Sequence, residues 1–521
     1  MAVMAVLCWV LIGLGQGFTY AEALRIRVNT ADSFQTIDGF GASDAWRCQF
    51  VGRDWPIAKR EHIADLLFSR DTDTNGNPKG IGLSLWRFNI GAGTAEQGDA
   101  SGIRNPWRRA ECFLNADGSY DWSKQAGQQW FLKAARRRGV EKFLAFVNSP
   151  PVQFTRNGRG YAAKGDTHLN LQPGKLGLYA EFLVQVMEHF EKSGLPFNYL
   201  SPFNEPQWNW DQANQEGTPA RNADLYPLVR ELSRQLAERK LSTQLVIGEA
   251  GTIGHVAKVM DDDGRDNQAR FFFDPASPTY VGALPNVAPI ISAHSYFSVW
   301  PLSQQVEYRQ MLHLALRAAN PKLGYWMSEY CILQRNREIR GGGGRDLGMD
   351  TALYVARIIH HDLTLAEARS WQWWTALTQC DFKDGLLYLD DGTRGNTGRM
   401  GAETSSLMRD GVVRESKLLW VLGNYARFVR PGMTRVACAI EPESCYVDGV
   451  LASAYKGPDN KLVLVLTNLS REEQHCDLGL AGQFDVFTTS EKANLARTER
   501  NGSDIALAAR AVVTCVNRQP R

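Results

Sequence analysis

The sequence predicts a (β/α)8 barrel carrying a C-terminal antiparallel β-sandwich side domain, and three observations point there. Short apolar runs alternate with amphipathic helical patterns from about 36 to 376, as strand–helix units of a parallel sheet do. The alternation gives eight strands over more than roughly 250 residues, the arithmetic of a closed barrel. From about 424 the texture changes to short β-rich runs broken by Gly, Asn, Asp and Pro, which reads as a small antiparallel domain. An open doubly wound sheet is the alternative topology, but no GxGxxG follows a strand.

Taken in order, the chain opens with an apolar run at 5–14 (AVLCWVLIGL) followed by Ala21-Glu22-Ala23. The run is short of the roughly 20 residues that span a bilayer. It reads as a cleaved secretory signal over 1–23, although no Lys or Arg precedes it; the competing reading is a buried N-terminal helix. A secreted or periplasmic product with no membrane span is expected. Residues 25–30 (RIRVNT) alternate apolar and polar, so 24–35 is expected to add a strand to the side domain.

The barrel is placed over 36–423. Its strands are expected near 36–40, 83–89, 142–148, 199–204, 244–249, 290–296, 324–329 and 370–375, with helices at 57–68, 176–190, 223–237 and 349–366. The side domain is placed over 424–521, with strands near 452–455, 461–469, 484–489 and 504–517. No long linker or internal repeat intervenes, so rigid packing of the two domains is expected.

Composition narrows the function. The 521 residues are 44% hydrophobic and 22% charged, an ordinary globular mix that excludes disordered and collagenous chains. Lys plus Arg number 58 against 56 Asp plus Glu, a net of +2. Such a balance gives no reason to expect a nucleic-acid partner; a monomer is expected. The 15 Trp, 16 Tyr and 23 Phe beside 47 Gly suit exposed aromatic platforms and tight loops as well as a large core. Nine Cys are scattered without CxxC or zinc-finger spacing, Cys438 and Cys445 being the closest pair outside the signal, and no connectivity is drawn.

Four motifs have bland readings. Asp71-Thr72-Asp73-Thr74-Asn75-Gly76 opens like a calcium loop, but its twelfth position is Gly82 rather than Glu, so a polar turn is expected. Asp261-Asp262-Asp263-Gly264 reads as a solvated loop. His360-His361 lack an HExxH pattern. The 341–344 run (GGGG) lacks the GK[ST] of a phosphate loop and reads as a flexible loop near the barrel mouth. No metal or cofactor is expected.

In such a barrel function gathers at the C-terminal ends of the strands. Asn204-Glu205-Pro206 follows the fourth strand and Ser328-Glu329 ends the seventh. These strands face each other across the mouth, so two carboxyls 124 residues apart in sequence can meet on one sugar. A retaining glycosidase needs such a pair about 5–5.5 Å apart, one acid/base and one nucleophile. Arg87 lies in an otherwise apolar strand and requires a partner there. His294 and Tyr296 share a strand face, as do Trp371 and Trp373.

These strand ends, in order, resemble glycoside hydrolase family 30. The likeness runs from Asp38-Gly39-Phe40-Gly41-Ala42 through Arg87, Asn148-Ser149-Pro150-Pro151, Asn204-Glu205-Pro206, His294-Ser295-Tyr296 and Ser328-Glu329 to Trp371-Gln372-Trp373-Trp374. It implies Glu205 as acid/base and Glu329 as nucleophile, with Asn204 on the sugar 2-OH. Trp208 and Trp210 are candidates to give the acid apolar cover, and Arg87 and Tyr296 to keep the nucleophile ionised. Asn148 and His294 are further site candidates, Trp373 the candidate floor under the sugar, and Asp44 and Trp46 stand between substrate contact and loop structure.

One departure bears on specificity: the family commonly places a Trp shortly after Ser-Pro-Pro, where this chain reads Val152-Gln153-Phe154. The stretch from Asn204 to Trp210 with Gln215-Glu216-Gly217 looks most like the endo-β-1,6-galactanases. A polysaccharide or oligosaccharide substrate is therefore expected. β-1,6-Glucanase and xylanase relatives, and a non-catalytic carbohydrate-binding relative, remain the alternatives.

Overall fold

A computed structural model describes residues 24–260, 262–392 and 405–518. The expected signal at 1–23 and Asp261 lie outside the described residues. Eight parallel strands close a barrel in chain order: Gly39–Ser43, Leu85–Ile90, Lys142–Val147, Tyr199–Ser201, Gln244–Ala250, Val287–His294, Gly324–Glu329 and Ala368–Trp373. The last pairs back onto the first, with Trp371 opposite Phe40. The first strand starts later than expected because Thr36 still belongs to the N-terminal strand Leu24–Thr36. The fourth stops at Ser201, before Pro202, whose ring removes the N–H a ladder would need.

The helices around the barrel are amphipathic. In Asn222–Glu238, for example, Leu225, Leu228, Val229, Leu232 and Leu236 are buried at helical spacing. Inside the barrel, Leu85, Leu144, Val246, Ile290 and Trp326 form a separate apolar plug near the strands' N-terminal ends. Arg87 sits two residues beyond Leu85, on the same inward face, so the polar groups of the mouth stand on a dry floor. Burying that many apolar side chains is what anchors a charged mouth against its desolvation penalty.

The side domain is one sheet of nine strands, antiparallel except where Leu24–Thr36 runs parallel to Gln474–Asp477. The same N-terminal strand pairs antiparallel with Thr434–Glu441, Arg27 opposite Ala439. Strands from both halves of the sheet contribute to one core, with Val450, Leu464, Phe484 and Ile505, so the sheet folds over itself as a sandwich does. Its other face, with Val463, Val465 and Val512, joins the barrel's own core.

The helix Lys417–Ala426 runs across position 424 and ties the two layers together. Asn424 Nδ2 donates to Phe487 O at 3.1 Å and to Thr514 Oγ1 at 3.0 Å. Arg427 Nη1 donates to the carbonyls of Ser69 and Gly80, both at 3.0 Å, on the barrel side. His361, on the last barrel helix, packs edge-on against Tyr446 of the side domain at 4.8 Å. Burial pulls the His361 imidazole down to about 2, so it acts as a neutral packing group.

Asp73 closes the 71–76 turn: Oδ1 accepts from the backbone N–H of Asn75 and Asn77, both at 2.8 Å. The eight cysteines among the described residues are free thiols, most of them buried. Among the described residues, no helix is long and apolar enough to cross a membrane.

Candidate active site

Glu205 and Glu329 meet over the barrel mouth. One carboxyl oxygen of each, with a ring nitrogen of His294, lie within 4.8 Å of one another. They line a cleft of about 220 Å³ together with Asn148, Asn204, Trp210, Gln215, Tyr296, Trp374 and Asp384, among others.

The backbone delivers Glu205 in the left-handed region, φ +44°. A non-glycine residue holds that conformation only when its neighbours fix it. Here Glu205 N donates to Glu249 O at 2.8 Å, and its own carbonyl accepts from Trp208 N at 3.1 Å and Trp210 Nε1 at 2.9 Å. Gly251 packs directly against the carboxyl. A Cβ there would lie 2.8 Å from Glu205 Oε1, 2.4 Å from Gln207 Nε2 and 2.6 Å from Trp208 Nε1.

Arg87, fully buried, is the hub. Its Nη1 donates to Glu329 Oε2, and its Nη2 to Glu249 Oε2 at 2.8 Å and to Asn204 Oδ1 at 2.9 Å. Tyr296 OH donates to Glu329 Oε1 at 2.9 Å. Both Glu329 oxygens thus receive donors suited to a carboxylate. Burial pushes the Tyr296 phenol up, so it stays a donor.

His294 bridges two carboxyls, with Nδ1 2.9 Å from Glu205 Oε1 and Nε2 3.2 Å from Glu249 Oε2. Burial opposes its charge, but the negative charge of Glu329 and the hydrogen bonds to Glu205 and Glu249 outweigh that and lift it to about 10. The ring is therefore an imidazolium at neutral pH, donating from both nitrogens. Burial likewise works against Glu249, yet Arg87 and His294 hold it down at about 2. Burial raises Glu205, against the pull of its His294 hydrogen bond.

Two carboxylates (Glu249, Glu329) then face two cations (Arg87, His294) beside a Glu205 disposed to keep its proton. The trio Glu205, His294 and Glu329 has the proximity of a metal site. The Arg87 guanidinium already occupies Glu329 and both His294 nitrogens are engaged with Glu205 and Glu249, so these ligand atoms are committed within the protein and do not fit one.

Of the residues expected from sequence, Glu205, Glu329, Arg87, Asn148, Asn204, His294 and Tyr296 are brought together. Asp44, Trp46, Trp208 and Trp373 are not in the cleft lining. Asp44 is buried behind it, accepting from Asn89 N at 2.9 Å and Gln128 Nε2 at 3.0 Å, and burial raises it to about 7. Trp46 donates to Asn89 Oδ1 at 2.9 Å and supports Trp374 edge-on at 5.4 Å.

Trp208 packs edge-on to Phe297 at 6.0 Å, outside the lining, while Trp210 lines the cleft. Trp371 and Trp373 do share a face, stacked at 6.1 Å, but it is the outward one: Trp371 Nε1 bonds Asp362 on a surrounding helix at 2.9 Å. Trp374, just past the strand end, supplies the cleft's aromatic wall.

Glu249 was missed, although its position at the end of the fifth strand was visible. The 341–344 loop is not loose: Lys383 Nζ donates to Gly341 O and Gly343 O, both at 2.9 Å. Val152 and Gln153 line a different hollow, beside Gly93 and Leu114.

A profile of O-glycosyl hydrolase family 30 matches residues 23–388. The chain is 29% identical over 263 residues to an exo-beta-1,6-galactobiohydrolase of Bifidobacterium longum subsp. longum, covering 40% of this chain and 17% of that protein's length. It is 27% identical over 499 residues to glucuronoxylanase XynC of Bacillus subtilis, covering 92% of this chain and 88% of that one. Among solved structures, a conserved exported protein from Bacteroides fragilis shares 38% identity at a TM-score of 0.88, over 94% of this chain and 100% of that one.

Proposed function

The chain belongs to O-glycosyl hydrolase family 30, and on that premise we propose that it is an exported, retaining β-glycoside hydrolase of β-1,6-linked galactan. The observation that carries the mechanism is the approach of the Glu205 and Glu329 carboxyl oxygens to within 4.8 Å. That approach sides with the retaining arrangement, with carboxyls about 5–5.5 Å apart, rather than the roughly 6.5–9.5 Å of an inverting pair.

In the first step Glu329 attacks the anomeric carbon while Glu205 gives its proton to the departing glycosidic oxygen. Arg87 and Tyr296 aim the nucleophile's two oxygens. In the second step Glu205, now a carboxylate, takes a proton from water, which displaces Glu329 and restores the original configuration. The His294 imidazolium stabilises Glu205 during the interval in which it is charged. Asn204, oriented by Arg87, faces the sugar's 2-OH.

The galactan assignment draws on the likeness around 204–217 and on the galactobiohydrolase relative. The relative matched over most of its length is a xylanase, which keeps xylan as the second reading. Export draws on the N-terminal apolar run and on the exported Bacteroides neighbour. A screen of linkage-defined polysaccharides for reducing-end release tests the substrate. Activity on β-1,6-galactan is expected; activity confined to β-1,4-xylan or β-1,6-glucan overturns the galactan reading and leaves the mechanism standing. Glycan binding without release under any condition identifies a non-catalytic relative.

A further inference from the structure

Asp384 lines the same cleft and has no part in the two steps above. It is only 5% exposed, its Oδ1 has no hydrogen-bond partner, and no salt bridge is formed to it among the described residues. Burial raises its carboxyl against the pull of Arg47, the Thr378 side chain and Arg108; of the two arginines, Arg47 is occupied with Gln379 at 3.0 Å and Arg108 with Gln215 at 2.9 Å. A buried polar atom left unpaired is destabilising, and one in the lining of a cleft recovers that cost when a ligand pairs it.

The loop is built to hold Asp384 there. Its carbonyl accepts from Trp373 Nε1 at 2.9 Å and Thr375 N at 2.5 Å, while Lys383 next to it is clamped onto the glycine loop. In the same cleft Asn148 is 1% exposed, with Nδ2 also unpartnered. An unsatisfied acceptor and an unsatisfied donor thus share a cavity with the two catalytic carboxyls and the Trp374 face.

The position fits the glycone half of the site. The Asp384 carbonyl is tied to Trp373 and Thr375, and Trp374 between them donates its N–H to Tyr330 O at 2.9 Å, next to Glu329, whereas Glu205 is flanked by Trp210 through its carbonyl. We propose that Asp384 accepts hydrogen bonds from hydroxyls of the glycone sugar, the ring whose anomeric carbon Glu329 attacks, and that Asn148 donates to another oxygen of that ring. This rests on the glycosidase reading above and adds the residues that select the sugar. A site built to pair a hydroxyl rejects the analogue lacking it, because its own polar group is then stranded.

The test uses 2,4-dinitrophenyl β-D-galactopyranoside, glucopyranoside and xylopyranoside to find the parent sugar that wild type turns over, then the monodeoxy analogues of that parent. Wild type is expected to lose about 10- to 100-fold in kcat/KM on at least one analogue. Asp384→Ala is expected to lose a similar factor on the parent and to discriminate no longer. Asp384→Asn, which keeps the shape and an acceptor, gives an intermediate loss and guards against misfolding of the first variant, with melting curves of both as the check. Variants that still discriminate as wild type does, or that lose activity equally on parent and analogues, overturn the proposal. Failure of the glycosidase reading looks different: wild type turns over no parent glycoside and no polysaccharide.

Discussion

Arg87 and Glu249 form an ion pair at 2.8 Å in which neither side chain reaches solvent. Removing two charges from water is unfavourable, and a buried pair alone seldom repays it. This one has a second function, because the other arm of Arg87 holds Glu329 and the same Glu249 oxygen, Oε2, also faces His294 Nε2 at 3.2 Å. Glu249 fixes both the guanidinium that holds Glu329 and the imidazole that holds Glu205.

Glu249→Ala leaves the Arg87 and His294 charges short of an anion and is expected to destabilise the fold by about 3–5 kcal/mol. Glu249→Gln keeps the shape and is expected to lose less. With one anion gone, Glu205 sheds its proton more readily, so the alkaline limb of the pH–kcat/KM profile moves to lower pH by on the order of one unit. Thermal melts and pH–rate profiles of the two variants check both effects.

The same pair makes stability pH-dependent in both directions. Glu249 is held down at about 2, so its contribution is present above its unfolded value of roughly 4.3 and fades as pH falls toward 2. His294 is lifted to about 10, so its contribution is complete below roughly 6.5 and fades as pH rises through 10. The melting temperature is expected to peak between those windows. Glu249→Gln is expected to lose most of the acid-side component of this decline, read by differential scanning calorimetry across pH.

Gly251→Ala is expected to cut kcat by about 10²-fold with little change in melting temperature. Its added methyl would press on Glu205 Oε1 and on the Gln207 and Trp208 side chains, and misplacement of a reacting group by about 1 Å has that effect. Steady-state kinetics on the preferred substrate decide it. A variant as active as wild type would show that the acid/base has slack in this position.

The two carboxylates are separable by azide rescue. Glu329→Ala is expected to lose all turnover, with azide then giving a glycosyl azide of inverted configuration. Glu205→Ala is expected to lose about 10²–10⁴-fold on natural glycan, to keep its first step on an activated aryl glycoside, and to yield a glycosyl azide of retained configuration. The product stereochemistry, read by NMR, tells the roles apart; the opposite pairing would mean that they are reversed.

The barrel was legible because its strands are short apolar runs, several of them ending in a polar residue, and Gly324–Glu329 was placed to the residue. The convergence of Glu329 with Glu205, Arg87 and Tyr296 was legible for the same reason, since strand ends converge wherever the loops go. The loops themselves were not. Nothing local in PQWNW separates Trp208 from Trp210, because the choice follows from the left-handed turns at Glu205 and Trp210. Trp373 and Trp374 differ by one residue of register, and only the packing of Trp371 onto Asp362 reveals which faces outward. Glu249 was hidden by its company: one strand-end Glu among several gives no hint that an arginine and a histidine from other strands enclose it.

The central claim is a double displacement by Glu205 and Glu329, and the configuration of the first-formed product tests it most directly. Proton NMR of the reducing ends released in the first minutes of hydrolysis is expected to show the β-anomer, with the α-anomer growing in later by mutarotation. An initial α-anomer would contradict a double displacement, since inversion calls for carboxyls roughly 6.5–9.5 Å apart, whereas here an oxygen of each lies within 4.8 Å of the other.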